Sequence, residues 1–401
     1  MIVNRAERHY IKKAHKDFKV VDDLCFKSKN VYNYANYLIR QQFVETGEII
    51  KRFDMQKIMK DTDCYKALGS NVGQVTIQML DRNWKSFFIA IKDWSENPTK
   101  YYAKPKIPRY LNKNGRYVVG LTNNRFKIVD GYIRFSWKKL YCMNNTFKTR
   151  IPNNAKLMQI RFIPKGNYYV MEVCYQVEVP DCFEESNRIA SIDLGVENFI
   201  TMTNNIGEEP IAIKGGVIKS INQYYNKKKS KLQSELKKCN GQHWSKKLED
   251  MSYKRHQRIK NYMHNASALV IKWCVEHNID TLVVGKNDTW KQEKKHMQNF
   301  TSIPYEMLLG QLQYKCENAG IKYIEVNESY TSGTSYLDNE APTKENYNKE
   351  RRVQRGLFQA KDTLINADVN GSLQIMRKVF PDSYTGYGIE VVLTPTIINA
   401  V

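Results

Sequence analysis

The second half of the chain alternates short apolar strands with amphipathic helices, and this alternation restricts the possible folds more than any other feature of the sequence. The segment IASIDLGVENFITMTNN, starting at Ile189, predicts a strand, a tight turn at Gly195 and a second strand. Further strands are predicted at DTLVVGK and KYIEVNE, with one helix between them over 304–319 and a last helix over 368–380. Such alternation predicts an α/β domain over residues 186–401.

The first half has a different pattern. Residues 21–99 show helical apolar spacing and no catalytic constellation. From residue 100 to 165 the chain consists of short β-prone runs, including RYVVGL, RFKIV, YIRFSW and MQIRFI, separated by Asn, Gly and Pro turn signals. The sequence therefore predicts a helical region followed by a small β-barrel or sheet.

Positive charge is concentrated in two segments. The whole chain has a formal net charge of +22, with 63 Lys and Arg against 41 Asp and Glu. Residues 100–165 hold sixteen basic residues against one acid, Asp130, and residues 214–260 hold fourteen against three, in a pattern that predicts two basic helices. A charge this far from zero favours a polyanionic partner, and nucleic acid is the first candidate.

An anionic membrane surface is the second candidate for that partner. It is less favoured because the sequence has no apolar run long enough to cross a bilayer, and the N-terminal segment has no signal-peptide core. The sequence predicts no membrane partner and a cytoplasmic protein.

Aromatic residues lie among the basic ones, as in KPKIPRY and YIRFSWKK, and such mixtures can pair with phosphates while stacking on bases. The alternative is a soluble basic surface with its aromatic residues in the core. The nucleic-acid-binding candidates are Lys104, Lys106, Arg109, Lys227, Lys228, Lys229, Arg255 and Arg258.

The eight cysteines are scattered, and none forms a C-x-x-C pair. Neither a disulfide framework nor a zinc ribbon is indicated by that spacing. The cysteines are expected to be reduced thiols, several of them buried.

Two aspartates have positions suited to metal binding. Asp193 ends an apolar strand before a sharp turn, so its carboxylate is presented at the edge of a sheet. Asp368 lies at the start of a helix, where an N-cap role is the simpler explanation. Magnesium prefers oxygen ligands, and two-metal nucleases need three or four carboxylates from separate elements. Two aspartates far apart in sequence are therefore only suggestive of such a site.

Several motifs resemble those of TnpB proteins, the transposon-encoded relatives of compact type V CRISPR effectors. SIDLGVENF resembles their first RuvC motif, KPKIPRY their basic proline motif and INADVNGSLQI their third RuvC motif. The stretches VVGKNDTWKQ, ESYTSGTSYLDNE and RVQRGLFQAKDTLINADVNGS are similar to a branch of the family in which the usual layout is altered.

The resemblance implies an α+β multidomain architecture. Residues 1–20 and 100–185 would form a wedge β-barrel, interrupted by a helical recognition region over 21–99. Residues 186–401 would form an RNase H-like RuvC domain, with a basic helical insertion at 215–275 and a cysteine-free insertion at 329–364.

The resemblance also implies a function. Proteins of this family bind a guide RNA from the transposon end, recognise a short motif beside the target and cut both DNA strands. Asp193 and Asp368 match the first and third catalytic positions. Magnesium or manganese is the expected cofactor and zinc is not expected, while double-stranded DNA is the target. The protein is expected to be monomeric.

The chain departs from the family pattern at two places. The usual second motif has a glutamate after the hydrophobic strand, where this chain has Gly285, and the usual C-x-x-C pairs are missing. In the altered branch, the glutamate of ESYTS resembles a relocated catalytic residue, so Glu328 is predicted to complete the site as catalytic residue and metal ligand. Strand alternation places Glu325 on the opposite face. The remaining candidates are Asp288 and Glu293, more typical of solvated loop charges.

Three alternatives remain open at this stage. The missing glutamate is compatible with a nuclease-inactive, RNA-guided DNA-binding protein that acts as a repressor. A transposase acting directly on DNA ends has less support, since the sequence shows no nucleophilic tyrosine motif with a paired histidine motif. A CRISPR-associated version of the nuclease is equally compatible with the sequence.

Recognition of the target-adjacent motif is predicted on the helix that carries three amide side chains at three-and-four spacing. Amide side chains read adenine edges well. The alternative is a set of ordinary exposed polar residues. The three candidates are Asn71, Gln74 and Gln78.

Overall fold

The computed structural model describes residues 1–181, 186–287, 303–354, 356–383 and 394–400. The chain divides into two compact units, one spanning Ile2–Glu178 and the other Val179–Val401 together with Met1. The division falls a few residues before the predicted start of the nuclease domain at residue 186.

The first unit contains both the helical region and the strands that flank it. Its helices are α1 (Phe18–Thr46), α2 (Arg52–Met59), α3 (Asp63–Leu68) and α4 (Ser70–Glu96). Its strands are β1 (Ile2–Lys12), β2 (Val119–Thr122), β3 (Phe126–Val129), β4 (Tyr132–Phe135), β5 (Lys156–Lys165) and β6 (Tyr168–Glu178). One hydrophobic core includes residues from both the helices and the sheet, among them Trp84 of α4 and Phe162 of β5.

The main sheet of this unit has the strand order β1-β6-β5-β2, with antiparallel pairing throughout. A separate hairpin joins β3 to β4 through Asp130 and Gly131, whose positive φ angles of 53° and 71° suit a two-residue turn. Closing a barrel would require β2 to pair with β1, and the described strands contain no such ladder. The described sheet is therefore open, and the wedge barrel that the resemblance implies is not confirmed.

The second unit carries the α/β pattern predicted for it. Its strands are β7 (Ile189–Asp193), β8 (Asn198–Asn204), β9 (Ile211–Lys214), β10 (Thr281–Lys286), β11 (Lys322–Asn327), β12 (Leu357–Gln359), β13 (Leu364–Asn366) and β14 (Thr396–Ile398). Its helices are α5 (Gly216–Asn240), α6 (Lys246–Glu276), α7 (Tyr305–Ala319) and α8 (Ala367–Val379). The mixed α/β class is confirmed.

A six-stranded sheet of order β11-β10-β7-β8-β9-β14 forms the centre of this unit. Strands β7, β8 and β9 are antiparallel neighbours, whereas β10 runs parallel to both β7 and β11. Helix α8 covers one face of the sheet, where Ile375 and Met376 pack on Ile189 and Val283. Helices α6 and α7 cover the other face through Met263 and Leu308. Both faces of the sheet are thus buried by helices. Polar side chains can therefore be placed at the ends of its strands, which the helices do not cover.

No helix in the described part of the chain is long and apolar enough to cross a membrane. Seven of the eight cysteines lie in described residues, and each of these seven is a free thiol. Three of them are buried, in agreement with the sequence: Cys25, Cys274 and Cys316. Cys182 lies outside the described residues.

Candidate active site

Asp193 lies at the C-terminal end of β7, directly before a tight turn. A Cβ atom at Gly195 would lie 2.5 Å from the carbonyl oxygen of Asn198, so the turn requires glycine there. The hydroxyl of Tyr305 donates a hydrogen bond of 2.7 Å to the Gly195 carbonyl and secures the turn from α7. Helix α8 approaches so closely that a Cβ atom at Gly371 would lie 3.0 Å from Asp193 Oδ2. The position of this carboxylate is therefore tightly determined.

Asp368 lies in the first turn of α8, and it is not the N-cap that the sequence had suggested. Asn366 is the N-cap, because its side-chain oxygen accepts hydrogen bonds from the backbone N–H groups of Asp368 and Val369, at 3.0 and 3.2 Å. The Asp368 carboxylate points elsewhere: Oδ2 accepts a hydrogen bond of 2.8 Å from Asn198 Nδ2, and Oδ1 lies 3.4 Å from the Arg352 guanidinium. The cap interpretation of this residue is therefore corrected.

Glu328 directly follows β11, and its backbone is held from both sides. Its carbonyl accepts a hydrogen bond of 2.8 Å from the hydroxyl of Thr331. The ammonium group of Lys378, on α8, donates to the carbonyls of Asn327 at 2.8 Å and Ser329 at 2.6 Å, the residues immediately before and after Glu328. Helix α8 thus carries Asp368 near its start and fixes the end of the strand that carries Glu328.

Glu325 lies on the opposite face of β11 from Glu328. Its carboxylate pairs with the Lys286 ammonium at 3.1 Å and accepts a hydrogen bond of 3.1 Å from the Tyr323 hydroxyl. Val326, which alternates with Glu325, packs on the α8 face of the sheet. Glu325 therefore points away from the aspartates and is engaged in a separate surface ion pair.

Gly285 lies beside Asp193 in the sheet. Val284 pairs with Ile192, the residue before Asp193, and Gly285 pairs with Val326 on the other side. A Cβ atom at Gly285 would lie 2.4 Å from Cδ1 of Ile375, so α8 fills the space that a side chain would need. Two other acidic residues considered from the sequence lie outside the described residues: Asp288 and Glu293.

The three predicted carboxylates line one cavity of about 1210 Å³, which two basic side chains also line. The basic residues are Lys214, at the end of β9, and Arg352. Burial raises the pKa of Asp193 well above its usual range, and the negative charges of Glu328 and Asp368 raise it further. Such mutual repulsion among acids is typical of a site that binds cations.

The donor set fits magnesium or manganese. Both are hard cations that take oxygen ligands, and magnesium usually keeps several waters while using one or two carboxylates together with substrate phosphates. Among the described residues, no three His, Cys, Asp or Glu side chains are placed close enough to enclose an ion by themselves. Arg352 and Asn198 hold Asp368 in an open cavity. Such a cavity suits a metal ion whose remaining ligands are water molecules and a substrate phosphate.

The predicted phosphate-binding residues lie on two separate surfaces. In the first unit, Lys104, Lys106 and Arg109 are all exposed on the segment between α4 and β2. The ammonium group of Lys104 lies 5.3 Å from the centre of the Trp94 ring, an arrangement that combines charge with an aromatic surface.

The second basic surface is formed by α5 and α6. Lys227, Lys228 and Arg258 are exposed and Lys229 is partly exposed. Arg255 is different: it is half-buried, donates a hydrogen bond of 2.7 Å to Asn222 Oδ1 and lies 5.1 Å over the Tyr225 ring. Arg255 therefore joins the two helices, and its contact with nucleic acid stays a prediction.

Comparison with known proteins gives two family matches in this chain. Residues 172–291 match the family OrfB_IS605, described as a probable transposase, and residues 305–375 match the Cas12f1-like TNB domain. The TnpB-like protein ORF457 of Acidianus two-tailed virus is 23% identical over 385 residues, which cover 88% of this chain and 81% of the viral protein. The chain is thus similar to TnpB-type proteins and to the compact type V effectors.

A solved structure shows that the fold is shared as well. The cryo-EM structure of the Cas12f1–sgRNA–target DNA complex contains a protein chain that matches with a TM-score of 0.56 and 14% sequence identity. The match covers 90% of this chain and 82% of the other. At that identity the similarity concerns the fold.

The cysteine-free insertion is held by hydrogen bonds and by two ion pairs of Arg351. The guanidinium of Arg351 donates to Glu340 Oε2 at 2.8 Å and lies 3.4 Å from Asp338. From α8, Asn370 donates to the Thr334 carbonyl at 2.8 Å. The Arg351 contacts hold the insertion together, and the Asn370 hydrogen bond attaches it to the helix that carries Asp368.

The amide residues predicted to read the target-adjacent motif differ in their surroundings. Gln74 is exposed, whereas Gln78 is half-buried and lines a pocket of about 570 Å³ together with Arg5 and Gln159. Asn71 is also half-buried, and its amide donates a hydrogen bond of 2.8 Å to the Thr122 hydroxyl. The amide nitrogen of Asn71 is therefore engaged within the protein, and the role of Asn71 in reading the motif stays a prediction.

Three residues of the cavity were missed from the sequence. Asn198 and Lys214 act together, since the Lys214 ammonium donates to Asn198 Oδ1 at 2.8 Å while Asn198 Nδ2 donates to Asp368. Arg352 faces the same carboxylate. Only weak indications of these roles are present in the sequence. Asn198 is a polar residue at the start of the strand after Asp193, and Arg352 is one arginine within a charged segment.

Proposed function

We propose that this protein is an RNA-guided DNA endonuclease that cuts with a single two-metal RuvC-type site. The observation that carries the proposal is the shared cavity, in which carboxylates from three separate elements lie beside Lys214 and Arg352. Acidic ligands with basic neighbours are what hydrolysis of a phosphodiester requires, because metal ions and phosphate must meet in one place. Similarity to TnpB-type proteins supports the same activity.

Within that proposal, Asp193, Glu328 and Asp368 would hold magnesium or manganese. When bound, the ions would stabilise the attacking and leaving oxygens of the displacement. Asn198 holds Oδ2 of Asp368, which leaves Oδ1 as the ligand atom that faces Arg352. Arg352 would exchange this carboxylate for a phosphate of the substrate, since a guanidinium pairs well with either group.

The proposed partners are a guide RNA from the transposon end and a double-stranded DNA target. The solved Cas12f1 relative forms a complex with sgRNA and target DNA, which supports this assignment. The exposed lysines of α5 and the segment holding Lys104 and Lys106 would bind phosphates without reading sequence. We further propose that the protein acts as a monomer in the cytoplasm.

Reading of the target-adjacent motif is proposed for Gln74 and Gln78, supported by the exposure of Gln74 and by the pocket beside Gln78. Replacing both residues with alanine should change the preferred motif in a library of target-adjacent sequences. Asn71→Ala is the matched comparison and should mainly lower stability, because Asn71 bonds to Thr122. An unchanged preference in the double variant would remove this assignment.

A nuclease-inactive, RNA-guided binding protein is the second candidate, and Gly285 is the observation that favours it. Glycine supplies no ligand at the position where related proteins carry a glutamate. The two functions differ in whether Glu328 completes the site.

Plasmid cleavage separates these candidates. RNA that co-purifies with the protein is sequenced to define the guide, and a matching plasmid is then incubated with the complex and magnesium. We expect cutting by the wild-type protein and by Glu325→Gln, and none by Glu328→Gln, which should still bind the target. Tight binding without cutting by the wild-type protein, in magnesium and in manganese, would instead support the repressor.

A further inference from the structure

Two tyrosines line the same cavity as the candidate metal ligands. Tyr330 and Tyr347 form an edge-to-face pair with ring centres 5.8 Å apart, and each is 39% exposed. Ring pairs that only build the core of this unit are buried: Phe199 and Tyr305 stack on each other and are 0% and 5% exposed. The tyrosine pair therefore presents aromatic surface to the cavity.

The backbone that carries these rings is locally strained and closely fitted. Tyr330 has a φ of 70°, a left-handed conformation that is unfavourable for an aromatic residue. Its carbonyl accepts a hydrogen bond of 3.0 Å from the Thr334 hydroxyl. A Cβ atom at Gly333 would lie 2.5 Å from the Tyr347 ring, so the second ring rests directly on a glycine. Strain retained beside an active site suggests a role beyond packing.

We propose that Tyr330 and Tyr347 form a nucleobase-stacking subsite for the nucleotide next to the scissile phosphate. The inference rests on the proposed nuclease function, and it assigns substrate binding to the cysteine-free insertion. Any base has a face that can stack on tyrosine, so the subsite would tolerate different sequences. The base must be unpaired to stack in this way.

Charge and space in the cavity fit such a nucleotide. Tyr330 lies two residues after Glu328, and both residues line the cavity, so one nucleotide can place its phosphate near the carboxylates and its base on the rings. Lys214 and Arg352 supply positive charge for the neighbouring phosphates. A volume of about 1210 Å³ exceeds the roughly 300–1000 Å³ of small-molecule sites and leaves room for part of a strand.

The test combines a protein change with a matching substrate change. Tyr330→Gly removes the ring and relieves the positive φ, so the variant should fold, and Tyr330→Phe retains the stacking face. Single-turnover cleavage is measured on guide-matched targets with an abasic nucleotide at successive positions around the cut. With the wild-type protein, one abasic position should slow cleavage on the order of 5- to 150-fold.

Tyr330→Gly should slow cleavage of the intact target by a similar factor, with no further loss at that abasic position, and Tyr330→Phe should behave like the wild type. As a direct measurement of stacking, the fluorescence of 2-aminopurine placed at that position should be quenched when the target binds to the wild type, and should not be quenched when it binds to Tyr330→Gly. The subsite would be overturned if Tyr330→Gly and the abasic nucleotide slowed cleavage independently, so that their factors multiplied. Equal quenching of 2-aminopurine by the wild type and by Tyr330→Gly would also overturn it. Absence of any cutting by the wild type would contradict the nuclease, while the quenching measurement would still decide on the stacking.

Discussion

Returning a glutamate to position 285 tests why the third carboxylate lies on another strand. Gly285 lies beside Asp193, and its partner on β11 is Val326, two residues before Glu328. The variant Gly285→Glu combined with Glu328→Gln moves the carboxylate to the position at which the resemblance to TnpB proteins implies a glutamate. We expect this double variant to be destabilised and inactive.

The size of the destabilisation follows from the packing at Gly285. A Cβ atom there would lie 2.4 Å from Cδ1 and 3.2 Å from Cγ1 of Ile375, and 3.4 Å from the carbonyl of Ile192. Ile375 is 0% exposed, so it has no open space to move into. Overpacking of this kind costs roughly 1–3 kcal/mol. For a unit of this size that corresponds to a melting temperature lowered by roughly 2–12 °C.

The loss of activity comes from the missing ligand. A metal ligand contributes several kcal/mol to transition-state stabilisation, so Glu328→Gln alone should slow cutting by about two orders of magnitude or more. A third change, Ile375→Ala, makes room for a side chain at position 285 and should restore part of the activity to the double variant. Glu325→Gln is the control and should cut like the wild type, because its carboxylate pairs with Lys286.

The assays are thermal unfolding of the metal-free protein and single-turnover cleavage of a matched target. Suppose that the double variant, with Ile375 intact, has the melting temperature of the wild type and cuts the target at a similar rate. Helix α8 would then not block a side chain at position 285. The explanation of the relocated glutamate would in that case be wrong.

Three further predictions concern charge. Asp193→Asn should raise the melting temperature of the metal-free protein at neutral pH, by roughly 2–4 °C per kcal/mol of repulsion relieved. The gain should shrink as the pH falls from the raised pKa of Asp193 towards the ordinary pKa of an aspartate, below which both the folded and the unfolded wild type are protonated; a gain independent of pH would refute this. Reversing the charges of Lys227, Lys228 and Lys229 should weaken guide RNA binding and flatten its salt dependence, and unchanged salt slopes in filter binding would count against it. Arg351→Met should cost about 2–4 kcal/mol because two mostly buried carboxylates lose their partner, and an unchanged urea midpoint would exclude that role.

Local patterns in the sequence were sufficient for several features. The order of strands and helices in the second unit follows from apolar periodicity, and Asp193 could be placed at a strand end because an apolar run stops there. Alternation along β11 correctly separated Glu325 from Glu328. The two basic surfaces follow directly from composition.

Other features depended on packing between distant segments. The sequence favoured Asp368 as a helix cap, whereas Asn366 takes that role and leaves Asp368 in the cavity. The residue pattern left a barrel or a sheet open, and the described strands pair as an open sheet, since strand pairing and not strand propensity decides whether a sheet closes. Arg255 was predicted to bind nucleic acid, and the structure adds a hydrogen bond to Asn222 on the neighbouring helix that no local pattern indicates.

By itself the sequence determined the α/β pattern, the positive charge and the positions of Asp193 and Asp368 in the chain, because each of these is a property of neighbouring residues. Only the tertiary structure decided that Ile375 fills the space beside Gly285 and that Glu328 lines the cavity with both aspartates. These contacts join residues at least 40 positions apart. Strand register and helix packing set such distances, and neither is encoded in a local pattern.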